Sequence, residues 1–148
     1  GLVELGIQSL DREVLKKIKR ETSFSVVKKA WECIRKAGLR LGVQVMLGLP
    51  GDTLEKSIRT AKKLITLRPE TARIYPTLVI RGTELAEIYK KWKYKPLSMD
   101  EAIEQYSRLL NTQFARTAAE KLHGVLIRAD RHSDAALVFK QFLGTCSH

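Results

Sequence analysis

Cysteine and histidine are scarce in this 148-residue chain, and their positions argue against several classes of site. Cys33 and Cys146 lie far apart and form no C-x-x-C or C-x-x-x-C pattern, so we predict no metal site and no disulfide framework within the chain. His123, His132 and His148 lie away from the predicted strands and form no Ser-His-Asp or Cys-His constellation. The stretch "GLPGDT" lacks the Lys-Ser/Thr ending of a phosphate-binding loop. Hydrolase and nucleotidase functions are therefore disfavoured.

Long apolar runs are absent as well. No run approaches the roughly 20 residues that a membrane span needs, and the first residues lack the charged, apolar and small-residue order of a signal peptide. Hydrophobic residues make up 44% and charged residues 29% of the chain, which is ordinary for a globular protein. We therefore expect a cytoplasmic protein without a membrane partner.

Positive charge is in excess. The chain has 27 Lys and Arg against 16 Asp and Glu, a formal net charge of +11 that favours association with polyanions. The basic residues are nevertheless spread along the chain in pairs, which is also typical of solvated helix faces. These pairs are Lys16-Lys17, Lys28-Lys29, Arg35-Lys36, Lys62-Lys63 and Lys90-Lys91. Polyanion binding and simple solvation both remain open at this point.

Strand and helix patterns alternate through the first two thirds of the chain. The stretch "VELGIQ" alternates as a strand does and ends on Gln8 and Ser9, and Asp11 can cap a short helix that follows. A second helix is predicted from about Ser25 to a left-handed stop at Gly38. The order of these elements indicates a β-α-β unit.

The pattern then repeats. A strand is predicted from about Leu39 to Leu47, followed by a helix that Thr53 caps and that ends before Pro69. The continuous apolar stretch "ARIYPTLVI" predicts a strand buried on both faces. Beyond it we expect a short helix after Thr83, a long helix to about residue 119 with a Ser98/Glu101 capping box, and a strand-like "GVLIR".

Repeated β-α-β units place the carboxyl ends of all strands on one edge of a parallel sheet, where ligands bind. Three or four parallel strands cannot close a barrel, because about eight are needed. We therefore interpret the chain as part of a larger protein, with a small complete open sheet as the alternative.

The predicted strand ends carry polar and soft side chains. Two amides, a thioether and an aromatic hydroxyl suit a neutral, nucleoside-like ligand. The residues at this edge are Gln8, Ser9, Gln44, Met46, Tyr75, Pro76 and Thr77.

Three stretches carry a resemblance to a known family: "VELGIQSLDREVLKKIKR", "GLRLGVQVMLGLPGDT" and "RIYPTLVIRGTELAEIYKKWKYKPLSMDEAIE". Together, over roughly residues 2–110, they resemble the second half of the catalytic barrel of radical S-adenosylmethionine (SAM) enzymes. The branch related to the catalytic subunit of Elongator is the most similar, and oxygen-independent coproporphyrinogen oxidases are more distant. The resemblance implies an α/β fold, the C-terminal half of a partial TIM-like βα barrel over residues 1–122. Residues 123–148 form a divergent tail without an assigned role.

The resemblance also implies roles for individual residues. Gln8 would hydrogen-bond the ribose of SAM, Arg20 would approach the cofactor's carboxylate, and Gln44 would be a further ribose ligand. Met46 would cover the adenine. For two of these residues a purely structural role is the alternative, since Arg20 can be a solvated helix end and Met46 a core residue. The adenine edge would meet backbone groups of one of Tyr75, Pro76 and Thr77.

In the family, a 4Fe-4S cluster works with SAM, and its three cysteine ligands lie on a loop after the first strand of the barrel. That part is not in this chain, so the N-terminal half of the barrel is an expected partner and the chain alone is expected to be inactive. The resemblance and the positive charge suggest tRNA uridine modification. A coproporphyrinogen oxidase-like enzyme acting on a small molecule and a non-catalytic basic RNA-binding module are the alternatives.

One further segment predicts an RNA contact. In "KKWKYK", two aromatic side chains alternate with four lysines, a pattern that suits base stacking between phosphate contacts. Alternatively, the two aromatic rings seal the barrel wall while the lysine stems lie along the surface. Relatives tend to carry glycine close to the position of the tryptophan. The candidate contacts are Lys90, Lys91, Trp92, Lys93, Tyr94 and Lys95.

Overall fold

The computed structural model describes residues 1–110, which form a three-stranded parallel sheet with helical crossovers. The strands are β1 (Leu2–Gln8), β2 (Arg40–Leu47) and β3 (Thr71–Pro76), in the spatial order β1-β2-β3. The helices are α1 (Arg12–Lys17), α2 (Phe24–Lys36), α3 (Leu54–Ile65), α4 (Glu84–Lys90) and α5 (Met99–Leu110). The predicted α/β class and parallel strand order are confirmed. The end of the predicted long helix, the strand-like "GVLIR" and the boundary at residues 122/123 lie outside the described residues.

Side-chain caps set where the helices begin. The oxygens of Asp11, Ser23, Thr53 and Thr83 accept backbone N–H groups in the first turns of α1 to α4. In the predicted capping box before α5, the Ser98 N–H donates to Glu101 and the Glu101 N–H donates to the Ser98 hydroxyl. The caps predicted at Asp11, Thr53 and Ser98 are therefore confirmed, and α2 begins one residue earlier than predicted.

One face of the sheet forms the core. Leu41, Val43, Val45 and Leu47 alternate along β2 and are all at most 3% exposed. They pack in one cluster with side chains from three helices, namely Val27 and Ile34 of α2, Ala61 and Leu64 of α3, and Tyr106 and Leu109 of α5. Burial of each large aliphatic side chain contributes about 1.5–3 kcal/mol. This face, the outer face, therefore holds the helices on the sheet.

The opposite, inner face is polar. Paired residues of adjacent parallel strands share a face, so the register puts Glu4 beside Gly42 and Gly42 beside Thr71. Arg73 Nε lies 3.0 Å from Glu4 Oε2, so the two side chains meet across β2. They cross it at Gly42, where an added Cβ would lie 2.6 Å from Thr71 Oγ1 and 3.4 Å from Glu4 Cγ. The missing side chain of Gly42 makes this arrangement possible.

The third strand is shorter than the sequence predicts. It ends at Pro76, and Thr77 then donates both its N–H and its hydroxyl to the Leu47 carbonyl, at 2.9 and 2.8 Å. The apolar residues that follow are exposed, Leu78 at 62% and Ile80 at 63%. Arg73, on the inner face of β3, is exposed as well. Within the described residues, the prediction that this stretch is buried on both faces is therefore wrong.

The close contact at Gly42 yields a stability prediction. Gly42→Ala should lower the free energy of unfolding by about 1–3 kcal/mol, because the new methyl overlaps Thr71 Oγ1. Urea denaturation of the chain measures the change. Thr71→Ala should cost little by itself, since no partner within residues 1–110 bonds its hydroxyl, and it should relieve the Gly42→Ala cost. Additive costs in the double variant would contradict the steric explanation.

Candidate functional site

The carboxyl end of β1 has an unusual backbone. Gln8 has a positive φ of 66°, and a register shift lies between Gly6 and Gln8. The Ser9 N–H donates to the Ile7 carbonyl at 2.8 Å, closing a three-residue turn around Gln8. Such γ-turns with positive φ are rare and strained, and strain of this kind is concentrated at functional sites.

The turn directs the Gln8 side chain onto the inner face. Its amide nitrogen lies 3.2 Å from the point where a Cβ of Gly6 would be, so it fills the space that this glycine leaves. Its amide oxygen is buried, and within residues 1–110 no hydrogen-bond partner reaches it. An unpaired buried polar atom costs about 1–3 kcal/mol. The buried oxygen of Gln105 on α5 also lacks a partner within these residues, but α5 packs with the core of the outer face through Tyr106 and Leu109.

The register brings other predicted site residues next to the Gln8 amide. Gln44 pairs with Gly6 on one side and Arg73 on the other, and Met46 pairs with Tyr75 one row closer to the carboxyl edge. All of these residues share the inner face, and Gln44, Met46 and Tyr75 are half-buried. The register thus places the Gln44 amide, the Met46 thioether and the Tyr75 phenol on one face, and the Gln8 amide lies over Gly6 of the same face. Their roles toward a cofactor stay a prediction.

Pro76 and Thr77 are less available than Tyr75. Pro76 pairs with the outer-facing Leu47, and Thr77 is only 7% exposed, with its hydroxyl bonded to the Leu47 carbonyl. Proline also has no N–H to donate. Of the three predicted residues, Tyr75 therefore presents its side chain on the face that carries Gln44 and Met46.

Arg20 returns to β1 from the end of α1. The Lys19 N–H donates to the Lys16 carbonyl and the Arg20 N–H to the Leu15 carbonyl, which is the Schellman arrangement, with Lys19 at a positive φ of 55°. The Arg20 Nη2 then donates to the Gly6 carbonyl at 2.8 Å. The exposed Arg20 guanidinium therefore lies beside Gly6, which is two residues before Gln8 in β1.

The loop after β2 is held by a carboxylate that the sequence pattern did not single out. Asp52 accepts the Gly48 N–H at 3.2 Å, the Ser57 hydroxyl at 2.8 Å and the Thr53 N–H at 2.9 Å. Burial raises the pKa of Asp52 above its usual range, although the three hydrogen bonds oppose the shift. In the sequence, the only sign of this role is that Asp52 directly precedes the N-cap Thr53. Asp52 fixes the direction in which the chain leaves β2.

Tyr94 contacts the same loop from a distant part of the chain. Its hydroxyl donates to the Gly48 carbonyl at 2.6 Å, and burial raises its pKa, with the charge of Asp52 adding to the effect. Gly48 has a φ of 70°, and Leu97 lies 2.7 Å from where its Cβ would be. Tyr94 is therefore a neutral hydrogen-bond donor and a structural anchor.

Trp92, unlike the half-buried Tyr94, is almost fully accessible to solvent within residues 1–110. It is 93% exposed and has a positive φ of 56° directly after the end of α4. The Trp92 N–H donates to the Tyr89 carbonyl and the Lys93 N–H to the Ile88 carbonyl, so the tryptophan occupies the position that glycine usually takes in a Schellman motif. A bulky residue there costs roughly 1–2 kcal/mol. Within residues 1–110, Trp92 therefore faces solvent.

The lysines around Trp92 are exposed as well. Lys90 Nζ lies 2.8 Å from Glu87 Oε1, and the other three carry no ion pair within residues 1–110. These are Lys91, Lys93 and Lys95. The segment 90–95 therefore presents positive charge and one aromatic ring to solvent.

No three His, Cys, Asp or Glu side chains among residues 1–110 lie close enough together to hold a metal ion. Cys33 is exposed on α2, and Cys146 lies outside the described residues. In the same part of the chain, no helix is both long and apolar enough to span a membrane.

Comparisons with known proteins give the family. Residues 1–64 match the Radical SAM superfamily and residues 69–124 match the Radical_SAM C-terminal domain. The chain is 37% identical over 121 residues to a tRNA uridine(34) acetyltransferase of Methanocaldococcus infernus, and 32% identical over 111 residues to Elongator complex protein 3 of Bos taurus. These matches cover 78% and 73% of the chain but only 23% and 20% of the relatives. The chain thus spans about a fifth to a quarter of their length.

Two solved structures share the fold. Elp3 of Methanocaldococcus infernus with an N-terminal deletion superposes with a TM-score of 0.78 at 30% identity, covering 98% of this chain and 36% of that one. Coproporphyrinogen III oxidase of Escherichia coli superposes with a TM-score of 0.63 at 17% identity over 78% of this chain and 26% of that one, a likeness of fold alone. The resemblance inferred from the three sequence stretches is confirmed, and the chain belongs to the radical SAM superfamily, with relatives among the Elongator complex protein 3 proteins.

Proposed function

We propose that this chain is the SAM-binding part of a radical SAM enzyme that modifies tRNA uridines in the cytoplasm. One observation carries the cofactor part of the proposal: the buried amide oxygen of Gln8 has no partner within residues 1–110 and lies on the face that carries Gln44 and Met46. A strained turn holds it there at a cost in stability. A ribose hydroxyl would supply the missing donor.

The neighbouring residues fit the rest of a nucleoside sulfonium ligand. Gln44 offers a second amide to the ribose, and Met46 offers a polarizable side chain to the flat adenine. Tyr75 borders the adenine position next to Met46. Arg20 has five N–H donors, of which the bond to Gly6 uses one, and a carboxylate would take others.

The cluster must be held elsewhere. A 4Fe-4S cluster takes cysteine thiolates, and residues 1–110 contain only Cys33, which is exposed on α2. When bound in a complete enzyme, the cluster and SAM supply radical chemistry, while this chain binds and orients the cofactor and excludes water. We therefore propose that the chain is inactive without the cysteine-bearing half of the barrel.

Segment 90–95 supports RNA as the substrate class. Its exposed lysines and Trp92 offer phosphate contacts and a stacking surface, and two relatives are named for tRNA uridine(34). The small-molecule alternative leaves the exposed, strained tryptophan unexplained. The non-catalytic RNA-binding alternative leaves the unpaired Gln8 oxygen unexplained.

The first test concerns the cofactor. In an enzyme that combines this chain with the cysteine-bearing half of the barrel, Gln8→Ala and Gln44→Ala should each weaken SAM binding by about 1–3 kcal/mol, because each removes a polar partner from a buried ligand. Isothermal titration under anaerobic conditions measures the affinity. Gln105→Ala is the matched control, since it removes an amide whose buried oxygen also lacks a partner within residues 1–110, from a helix that packs on the outer face, and should leave SAM affinity unchanged. Unchanged affinity in both strand variants would refute the assignment.

The second test concerns Trp92. Trp92→Gly should raise the free energy of unfolding by about 1 kcal/mol, since glycine takes the positive φ without strain. The same change should weaken tRNA binding by about 1–3 kcal/mol through loss of stacking. Urea denaturation and filter binding measure the two effects. A more stable variant with full tRNA affinity would remove Trp92 from the RNA contact.

The third test concerns the lysines. Replacing Lys90, Lys91, Lys93 and Lys95 with Gln should reduce the slope of log affinity against log salt by up to roughly 2–4, because each phosphate that a lysine no longer neutralises lowers the slope by slightly less than one. Filter binding of an unmodified tRNA across a salt series measures the slope. The matched control removes the same charge from the exposed Lys28, Lys29, Lys62 and Lys63 on α2 and α3. Equal slopes in the two variants would mean that only net charge attracts the RNA.

A further inference from the structure

Gly48 is held through both of its backbone groups. Its N–H donates to Asp52 Oδ2 at 3.2 Å, and its carbonyl accepts the Tyr94 hydroxyl at 2.6 Å. Asp52 belongs to the same loop, whereas Tyr94 lies 46 positions further along the chain. The Tyr94 bond is therefore a tertiary link between the loop after β2 and segment 90–95.

This link bears on the candidate cofactor face. Gly48 directly follows β2, two residues after Met46 and four after Gln44. With φ at 70° and Leu97 packed against it, Gly48 has little freedom to adjust. A change in its carbonyl direction would move the end of the strand that carries both side chains.

Segment 90–95 has two distinct sides. Tyr94 is half-buried and bonded to Gly48, while Lys93 and Lys95 on either side of it are exposed. Trp92 lies two residues before Tyr94 and is 93% exposed. A ligand held by the exposed side chains would therefore restrain the segment that also holds Gly48.

We propose that Tyr94 is a positioning residue that couples RNA on segment 90–95 to SAM on the inner face. The proposal rests on the function proposed above. RNA bound to segment 90–95 restrains Tyr94, and the Tyr94 hydroxyl in turn restrains the Gly48 carbonyl at the end of β2. Part of the conformational entropy that SAM binding would otherwise cost is then lost when the RNA binds. Linkage makes the effect reciprocal. Each ligand should tighten the other by about fivefold or more, the lower end of measured couplings.

The test uses an enzyme that combines this chain with the cysteine-bearing half of the barrel, with unmodified tRNA and SAM as ligands. Tyr94→Phe removes only the hydroxyl that bonds Gly48, and the stacking and charged side chains remain. Tyr89→Phe is the matched control, because Tyr89 is 45% exposed on α4 and the substitution removes the same atom beside the same segment. SAM affinity is measured with and without saturating tRNA, and tRNA affinity is measured in the absence of SAM.

We expect tRNA to tighten SAM binding about fivefold in the wild type and in Tyr89→Phe, and less than about twofold in Tyr94→Phe, with tRNA affinity in the absence of SAM unchanged in all three. A ratio of one in the wild type, or an undiminished ratio in Tyr94→Phe, would overturn the coupling while leaving the proposed function intact. Failure of the wild type to bind tRNA would overturn the RNA substrate class and the coupling together.

Amide hydrogen exchange on the 148-residue chain gives a second readout that needs neither ligand. Tyr94→Phe should accelerate exchange at the Gly48 and Asp52 amides several-fold, whereas Tyr89→Phe should not. Exchange at the amides in the middle of β2 serves as the internal reference. Unchanged protection at Gly48 in Tyr94→Phe would mean that the hydroxyl does not position the loop, and the proposal would fail.

Discussion

The parallel pairing of β2 with both neighbouring strands is the constraint on which the rest of the structure depends. Because β2 pairs with β1 and β3 in the same direction, the carboxyl ends of all three strands meet at one edge. The same register sorts side chains by face, so leucines and valines of β2 meet the helices while Gln44 and Met46 face the other way. The core and the candidate site therefore lie on opposite faces of the same sheet.

Several features of the candidate site cost stability. Among residues 1–110, Gln8 has a strained turn and a buried oxygen without a partner, and Trp92 occupies a position typical of glycine with its ring exposed. Each departs from what local propensity favours, and each lies where a ligand is proposed to bind. Such conflicts between local preference and global fold are expected at functional positions. The N-terminal helix caps, which have no proposed ligand role, show no comparable conflict, whereas Lys19 and Arg68 after α1 and α3 also have positive φ.

The sequence predicted well what depends on neighbours along the chain. Strand alternation, the caps at Asp11 and Thr53 and the stop at Gly38 are local, and all are found. The predicted length of β3 was wrong, because hydrophobicity alone cannot reveal that the strand ends where the Thr77 hydroxyl donates to the Leu47 carbonyl. The turn at Gln8 and the bond from Tyr94 to Gly48 depend on contacts across the fold, and no pattern in one sequence encodes them.

The ion pair of Glu4 and Arg73 has a consequence for how the charge of the molecule is distributed. It pairs two of the three charged side chains that the paired rows of the inner face carry. The third, Arg40, lies in the first row, at the opposite end of β2 from Met46. Two arginines and one glutamate give these rows a net charge of +1, against +11 for the whole chain. A polyanion is therefore attracted mainly by the charge that lies outside these rows. The rows of Gln44 and Met46 thus offer hydrogen-bonding and apolar contacts, and the one cation among them, Arg73, is already paired with Glu4.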